Sequence, residues 1–196
     1  MTRRLLLSLV TVLALSASTM SATAAAAPNW TPASAKILLA STNVELTIAG
    51  VGTLKCGSTT ATSTLAAASS KFKFTPTFTE CTAPVTSVAA NWEAIDVKVG
   101  QASLQLPVSA AVIELTATCK VIVNPTVVTV VNAVPGNFTN GGTGWNAPSR
   151  WRFNKVEVPI AFSPAGCGGT ATQGEISANL DLWNENLTKQ NPQTNT

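Results

Sequence analysis

From Val44 onward, apolar and polar residues alternate with a period of two over most of the chain. That is the pattern of strands that bury one face and wet the other, because successive side chains on a strand point to opposite sides. Val44, Leu46 and Ile48 share one face against Glu45 and Thr47, and Leu54 and Cys56 flank an outward Lys55. Phe72 and Phe74 alternate with Lys71 and Lys73. Ile95, Val97 and Val99 then oppose Asp96 and Lys98, and after Gly100 the pattern resumes with Leu104, Leu106 and Val108, which predicts a hairpin turning at the glycine. Ile113, Leu115, Cys119, Val121 and Val123 keep one parity from Ala111 to Val123, and Ile176, Ala178, Leu180 and Leu182 close the series.

Two stretches depart from simple alternation. Thr126 to Val131 is apolar on both parities and reads as a central strand or one covered on both sides. Between Trp151 and Phe162 the inward set changes parity: Trp151 and Phe153 lead, then Val156, Val158, Ile160 and Phe162 follow. One extra residue near Asn154 and Lys155, a β-bulge, reconciles the two halves. Helical periodicity is nearly absent, and Gly, Pro, Asn and Thr clusters separate the segments. The fold class is therefore all-β, an antiparallel two-sheet sandwich of about nine or ten strands, with a small barrel as the alternative. Trp92 follows Cys56 at a distance that does not match a Cys-Trp-Cys framework, so the sandwich is immunoglobulin-like at most.

The N-terminus has a different grammar. Arg3 and Arg4 precede an apolar run from Leu5 to Ala17 and then small residues to Ala27, the order of a secretory signal. A run of that length is short of the roughly 20 residues that span a bilayer, so cleavage rather than anchoring is expected. The expected organisation is a signal over residues 1–26, one sandwich domain over 27–183, and a polar, flexible tail over 184–196. The expected product is secreted or extracellular, with the cell envelope as an alternative residence and no transmembrane helix in the mature chain.

Export changes how the four cysteines are read. Cys56, Cys81, Cys119 and Cys167 have no close Cys-x-x-Cys spacing and the chain has no His, so two disulfides are preferred to a metal site. Sequential pairing, Cys56 with Cys81 and Cys119 with Cys167, would join neighbouring strands. Chain-entropy arithmetic assigns the two loops roughly 3.5 and 4 kcal/mol.

The segments Gly52-Thr53-Leu54-Lys55-Cys56, Phe78-Thr79-Glu80-Cys81-Thr82 and Gly166-Cys167-Gly168-Gly169-Thr170 together resemble an uncharacterised family of small secreted actinobacterial β-rich proteins with paired cysteines. The resemblance implies export, an all-β domain and structural cysteines. It carries over no active-site residue.

Composition removes most catalytic equipment. The 196 residues include no His and no Tyr. Ser-His-Asp and Cys-His mechanisms and the histidine-based zinc hydrolases are therefore excluded. Without Arg3 and Arg4 the mature chain carries 10 basic residues against 9 acidic, a net charge of +1 that predicts no nucleic-acid partner. Ser70-Lys71-Phe72-Lys73 matches Ser-x-x-Lys, but strand parity sends Ser70 and Lys73 to opposite faces. Glu93 and Asp96 are separated in the same way, whereas Glu157, Glu175 and Asp181 could converge only across strands, as a carboxylate-dependent glycosidase would need. No cofactor is predicted.

One stretch concentrates binding chemistry. Gly141 to Arg152 holds three Gly, two Trp and the only two Arg beyond residue 4. Trp145 or Trp151 could stack on a sugar ring while Arg150 and Arg152 pair with a carboxylate or phosphate. Trp30, Trp92 and Trp183 read as core or rim residues. The expected function is an exported non-enzymatic β-module, structural or binding, with cell-wall glycan or another envelope protein as its partner. A strand-rich pore subunit, for which Ala111 to Val123 would be long enough, and an extracellular glycosidase are the alternatives.

Overall fold

In the computed structural model, residues 29–32, 35–66, 69–87, 92–125, 133–186 and 188–194 are described. The expected signal over 1–26 and the expected central strand from Thr126 to Val131 lie outside them. The described chain is all-β and antiparallel, without a helix. Its strands are β1 (Lys36–Ser41), β2 (Val44–Ile48), β3 (Gly52–Thr64), β4 (Lys71–Phe74), β5 (Thr77–Cys81), β6 (Val85–Ser87) and β7 (Trp92–Lys98). They continue with β8 (Gln101–Gln105), β9 (Ala111–Thr116), β10 (Cys119–Val123), β11 (Ala133–Thr139), β12 (Ser149–Ser163) and β13 (Gln173–Asn184).

Collinear β1 and β2 occupy one position in the sheet, since both pair β3 on one side and β13 on the other. From β13 the sheet continues through β12, β11, β8 and β7 to β4. The C-terminal part of β12 also pairs β10, which leads through β9 to β6. The sheet folds over on itself as a sandwich, not a closed barrel. Inward side chains of β1, β3 and β13 thus meet those of β4, β7, β8 and β9 in a single buried cluster. Trp30 sits in it with edge contacts to Phe72 and Phe138, both at 5.1 Å between ring centres.

Thirteen strands among the described residues exceed the expected nine or ten, and the hairpin at residues 111–123 shows why alternation undercounts. Ala111 to Val123 is a hairpin of two short strands, turning at Ala117 and Thr118, rather than one long strand. Its cross-strand partners, Ala111 with Val123 and Ile113 with Val121, are of equal parity, so the inward set reads the same folded or straight. The length argument for a pore at this stretch therefore fails.

On β7 the expected face is inverted. Trp92, Ala94 and Asp96 are buried while Val97 and Val99 are about half exposed. Because Trp92 and Ala94 set the inward parity, unbroken alternation carries Asp96 inward and Val97 and Val99 outward. The predicted turn at Gly100 forms, with φ of 78°. The predicted bulge forms too: the pairing with β13 shifts between Phe153 and Val156, Lys155 takes φ of 49°, and its N–H donates to Ser177 Oγ.

The cysteines pair sequentially, Cys56 with Cys81 and Cys119 with Cys167. The first bridge joins directly opposed residues of β3 and β5. By contrast, the tail expected to be flexible from residue 184 folds back onto the sheet, and Asn184, Asn191, Pro192 and Thr194 are buried. Its polar side chains are consumed by backbone groups, an outcome that hydropathy alone does not register.

Candidate functional site

The loop from Asn140 to Pro148 leads from β11 into β12, and its shape is imposed from both sides. At Gly141 a Cβ would stand 2.4 Å from the Ala147 carbonyl oxygen, and Gly144 takes φ of 81°, so glycine is required at both. The returning C-terminal segment closes over the loop. Asn191 is fully buried, donates from Nδ2 to the carbonyls of Gly144 and Ala147 at 3.0 and 2.9 Å, and accepts the Asn184 N–H at 2.8 Å. Gln190 and Gln193 both donate to the Gly141 carbonyl, and Ser149 Oγ donates to the Pro192 carbonyl. Thr194 and Asn140 add a further reciprocal pair.

This bracing presents Trp145, which is 55% exposed. Its ring lies 5.4 Å from that of half-buried Trp183 on β13, inclined at 54°, and the Trp183 indole N–H donates to the Trp145 carbonyl at 3.1 Å. Beside the two rings a groove of about 410 Å³ runs over the outer face of β1 and β3, along Leu38, Ala40, Thr60, Thr62, Thr75 and Thr77. Register explains this floor: Trp183 is opposite Leu38, which is opposite Thr62, and Asp181 is opposite Ala40, which is opposite Thr60 and then Thr77. Thr60, Thr62 and Thr77 are exposed, Thr60 opposite Thr77 and Thr62 two residues along the same face of β3.

The structure separates the four residues that the sequence grouped. Trp145 and Arg150 serve the groove side, for Arg150 is opposite Asp181 and approaches its carboxylate at 3.9 Å with both side chains about half exposed. Trp151 does not: it is fully buried, donates to the Ala102 carbonyl at 3.2 Å and packs 4.8 Å from Phe153. Adjacent strand residues face opposite ways, so Arg150 and Trp151 could never have shared a surface. Arg152 is exposed but lines a separate groove with Gln101, Ser103, Pro135 and Asn137. Trp183, Asp181 and the threonines were missed as parts of this groove; the run Thr60-Ala61-Thr62-Ser63-Thr64 was the available signal, since threonines recur there on one parity.

Of the carboxylates that could converge across strands, Glu157 and Glu175 meet and Asp181 does not join them. Glu93 is held by Lys71 and Lys73 at 3.2 and 3.4 Å. Glu157 and Glu175 are direct cross-strand partners on an exposed face, while Asp181 lies six residues further along β13, roughly 20 Å away at strand rise. Among the described residues, no three His, Cys, Asp or Glu side chains gather as metal ligands do, and no helix is long and apolar enough to cross a membrane. Comparison with protein-family models, with curated proteins and with solved structures finds no match to this chain.

Proposed function

We propose that the protein is an exported, non-enzymatic β-module that binds a carbohydrate polymer of the cell envelope in the groove beneath Trp145 and Trp183. The observation that carries this reading is the exposed Trp145 ring, fixed by Trp183 and by a loop that the C-terminal segment braces. An exposed indole normally costs solubility, whereas a sugar ring offers it an apolar face to stack on and hydroxyls for the neighbouring threonines. Rigid presentation reduces the entropy lost on binding. Arg150 and Asp181 lie next to the groove and supply a forked donor and an acceptor for polar substituents. The arginine-led apolar N-terminus and the two disulfides support export.

The test is retention on insoluble envelope glycan, measured by co-sedimentation over a concentration series. Loss of one stacking ring is expected to weaken binding about tenfold in Trp145→Ala, with a smaller loss in Arg150→Ala. Unchanged retention of both variants overturns the reading, and so does release of soluble sugar by the wild-type protein.

A further inference from the structure

The groove that Arg152 lines is separate from the one beneath Trp145, and its cation is placed differently from others on the sheet. Lys55, Lys120 and Arg150 each face an acid directly across the strands, Glu45, Glu114 and Asp181, at 2.8, 3.0 and 3.9 Å. Arg152 is instead flanked in register by Asn137 on β11 and Asn179 on β13. It is exposed and has no ion pair among the described residues. Lys98, opposite Gln101, and Lys155, at the β12 bulge, are likewise exposed without an acidic partner among the described residues. The acids of these strands are engaged or turned away: Glu93 and Asp181 are paired, Asp96 is buried, and Glu157 and Glu175 lie beyond the bulge. This part of the outer face therefore keeps an unanswered positive charge.

Register sets Gln101, Asn137, Arg152 and Asn179 in one exposed row across β8, β11, β12 and β13. Neighbouring strands stand about 4.8 Å apart, so the row is roughly 14 Å long. A groove of about 360 Å³ takes in Gln101, Asn137 and Arg152, with Ser103 and Asn154 two residues along their strands. Among the described residues that line it, Arg152 alone is charged. A guanidinium presents a planar fork of donors and no acceptor, which matches an oxyanion and repels a cation. The oxyanion keeps lone pairs beyond those that the fork engages, and the Asn137 amide beside it has N–H donors to offer. Gln101, Ser103 and Asn154 supply both donors and acceptors, which is what sugar hydroxyls require.

We propose that this groove binds a sugar bearing a singly charged oxyanion, the carboxylate of a uronic acid or a phosphodiester, with the anion on Arg152 and Asn137 and the hydroxyls along the row. The chemistry common to both is a single charge shared between forked oxygens, which one guanidinium neutralises. The groove is on the same face as the one beneath Trp145: Arg152 follows Arg150 by two residues, and Asp181, opposite Arg150, precedes Trp183 by two. At strand rise and spacing, Arg152 and Trp183 are roughly 14 Å apart, within the reach of one polymer. That the acidic sugar belongs to the envelope glycan rests on the function proposed above, whereas the site itself is tested with monomers.

The probes are glucuronate and methyl glucosyl phosphate, with glucose, which lacks the anion, and acetate, which lacks the sugar. Arg150 and Arg152 are the only arginines beyond residue 4, so binding is read from the Arg152 Nε–H resonance, assigned with Arg152→Lys, with Arg150 as internal control. A saturable Arg152 shift is expected at about millimolar sugar anion, with glucose and acetate each bound about tenfold more weakly. The tighter of the two sugar anions identifies the source. Asn137→Val keeps the guanidinium but removes the neighbouring amide, and should weaken the sugar anions about tenfold. Absence of a saturable shift with either sugar anion overturns the proposal, as does equal binding of glucose or acetate, or an Arg150 shift as large as that of Arg152. Unchanged affinity in Asn137→Val also overturns it, since an isolated surface arginine would behave so. On insoluble envelope glycan, Arg152→Gln should lower retention about tenfold, and unchanged retention overturns the link between the acidic sugar and the polymer. Glycan retention indifferent to Trp145→Ala, with monomer binding intact, overturns only the function proposed above. Trp145-dependent retention without monomer binding overturns only the anion site.

Discussion

Around Trp145 the chain spends buried polar side chains on holding an exposed ring still; around Trp92 it buries a ring and leaves that ring's polar atom unanswered. In the loop, Asn191 alone satisfies two carbonyls and one N–H. In the core, the Thr59 hydroxyl and the Trp92 indole N–H are almost as deeply buried yet have no hydrogen-bond partner among the described residues. The contrast teaches that burial of a polar group is not one phenomenon. Fully satisfied, it stiffens a surface; unsatisfied, it is a cost that persists only where something else is gained.

Substitutions at the two regions should separate these roles, and the largest effect is expected where the loop motif enters the core. Trp151→Ala should destabilise the protein by about 3 to 5 kcal/mol in chemical denaturation, because it empties a buried site that Trp145 does not share. A loss below about 1 kcal/mol would return Trp151 to the surface. Asn191→Ala should cost about 2 to 3 kcal/mol and loosen Trp145, visible as a red-shifted and less anisotropic emission in a variant retaining only that tryptophan's signal. If stability falls and the emission is unaltered, the brace is not what positions the ring.

Thr59→Val is expected to act in the opposite direction, raising stability by about 1 to 2 kcal/mol, since it exchanges an unpaired hydroxyl for a methyl of similar size. A destabilised Thr59→Val protein would mean that the hydroxyl is already satisfied. The smallest effect is expected far from both regions. Glu175→Lys places opposite charges across β12 and β13 at Glu157 and should add about 0.5 kcal/mol, a gain abolished by high salt.

Much of the architecture could be read in advance where one rule governed one strand. Phe72 and Phe74, Leu46 and Ile48, and Leu180 and Leu182 all face inward as alternation requires. Even the β12 bulge announced itself through a parity change, because Trp151 and Val158 cannot both face the core of an unbroken strand. The failures have a common origin in places where parity is silent. A hairpin with equally matched partners, as in β9 and β10, looks like one strand. A change of buried parity without an apolar marker, as where the buried set passes from Cys56 to Thr59 along a β3 whose register is unbroken, leaves no trace in hydropathy.

The candidate site was legible only in part, for the same reason. Exposed Trp145 and Arg150 were found, but Trp151 was grouped with them through proximity along the chain, which on a strand means the opposite face. Trp183, Asp181 and the threonines come from strands distant in sequence and are brought together by register.

Amino-acid order alone determined the all-β class, the two bridges, the Gly100 turn and the bulge, since each depends on local alternation or on pairs of cysteines too few to mispair widely. Tertiary structure decided the folding back of the C-terminal segment and the floor under Trp145. Those features depend on which strands become neighbours and on where a hydrogen bond finds its partner, and such long-range choices are made by the packed chain as a whole.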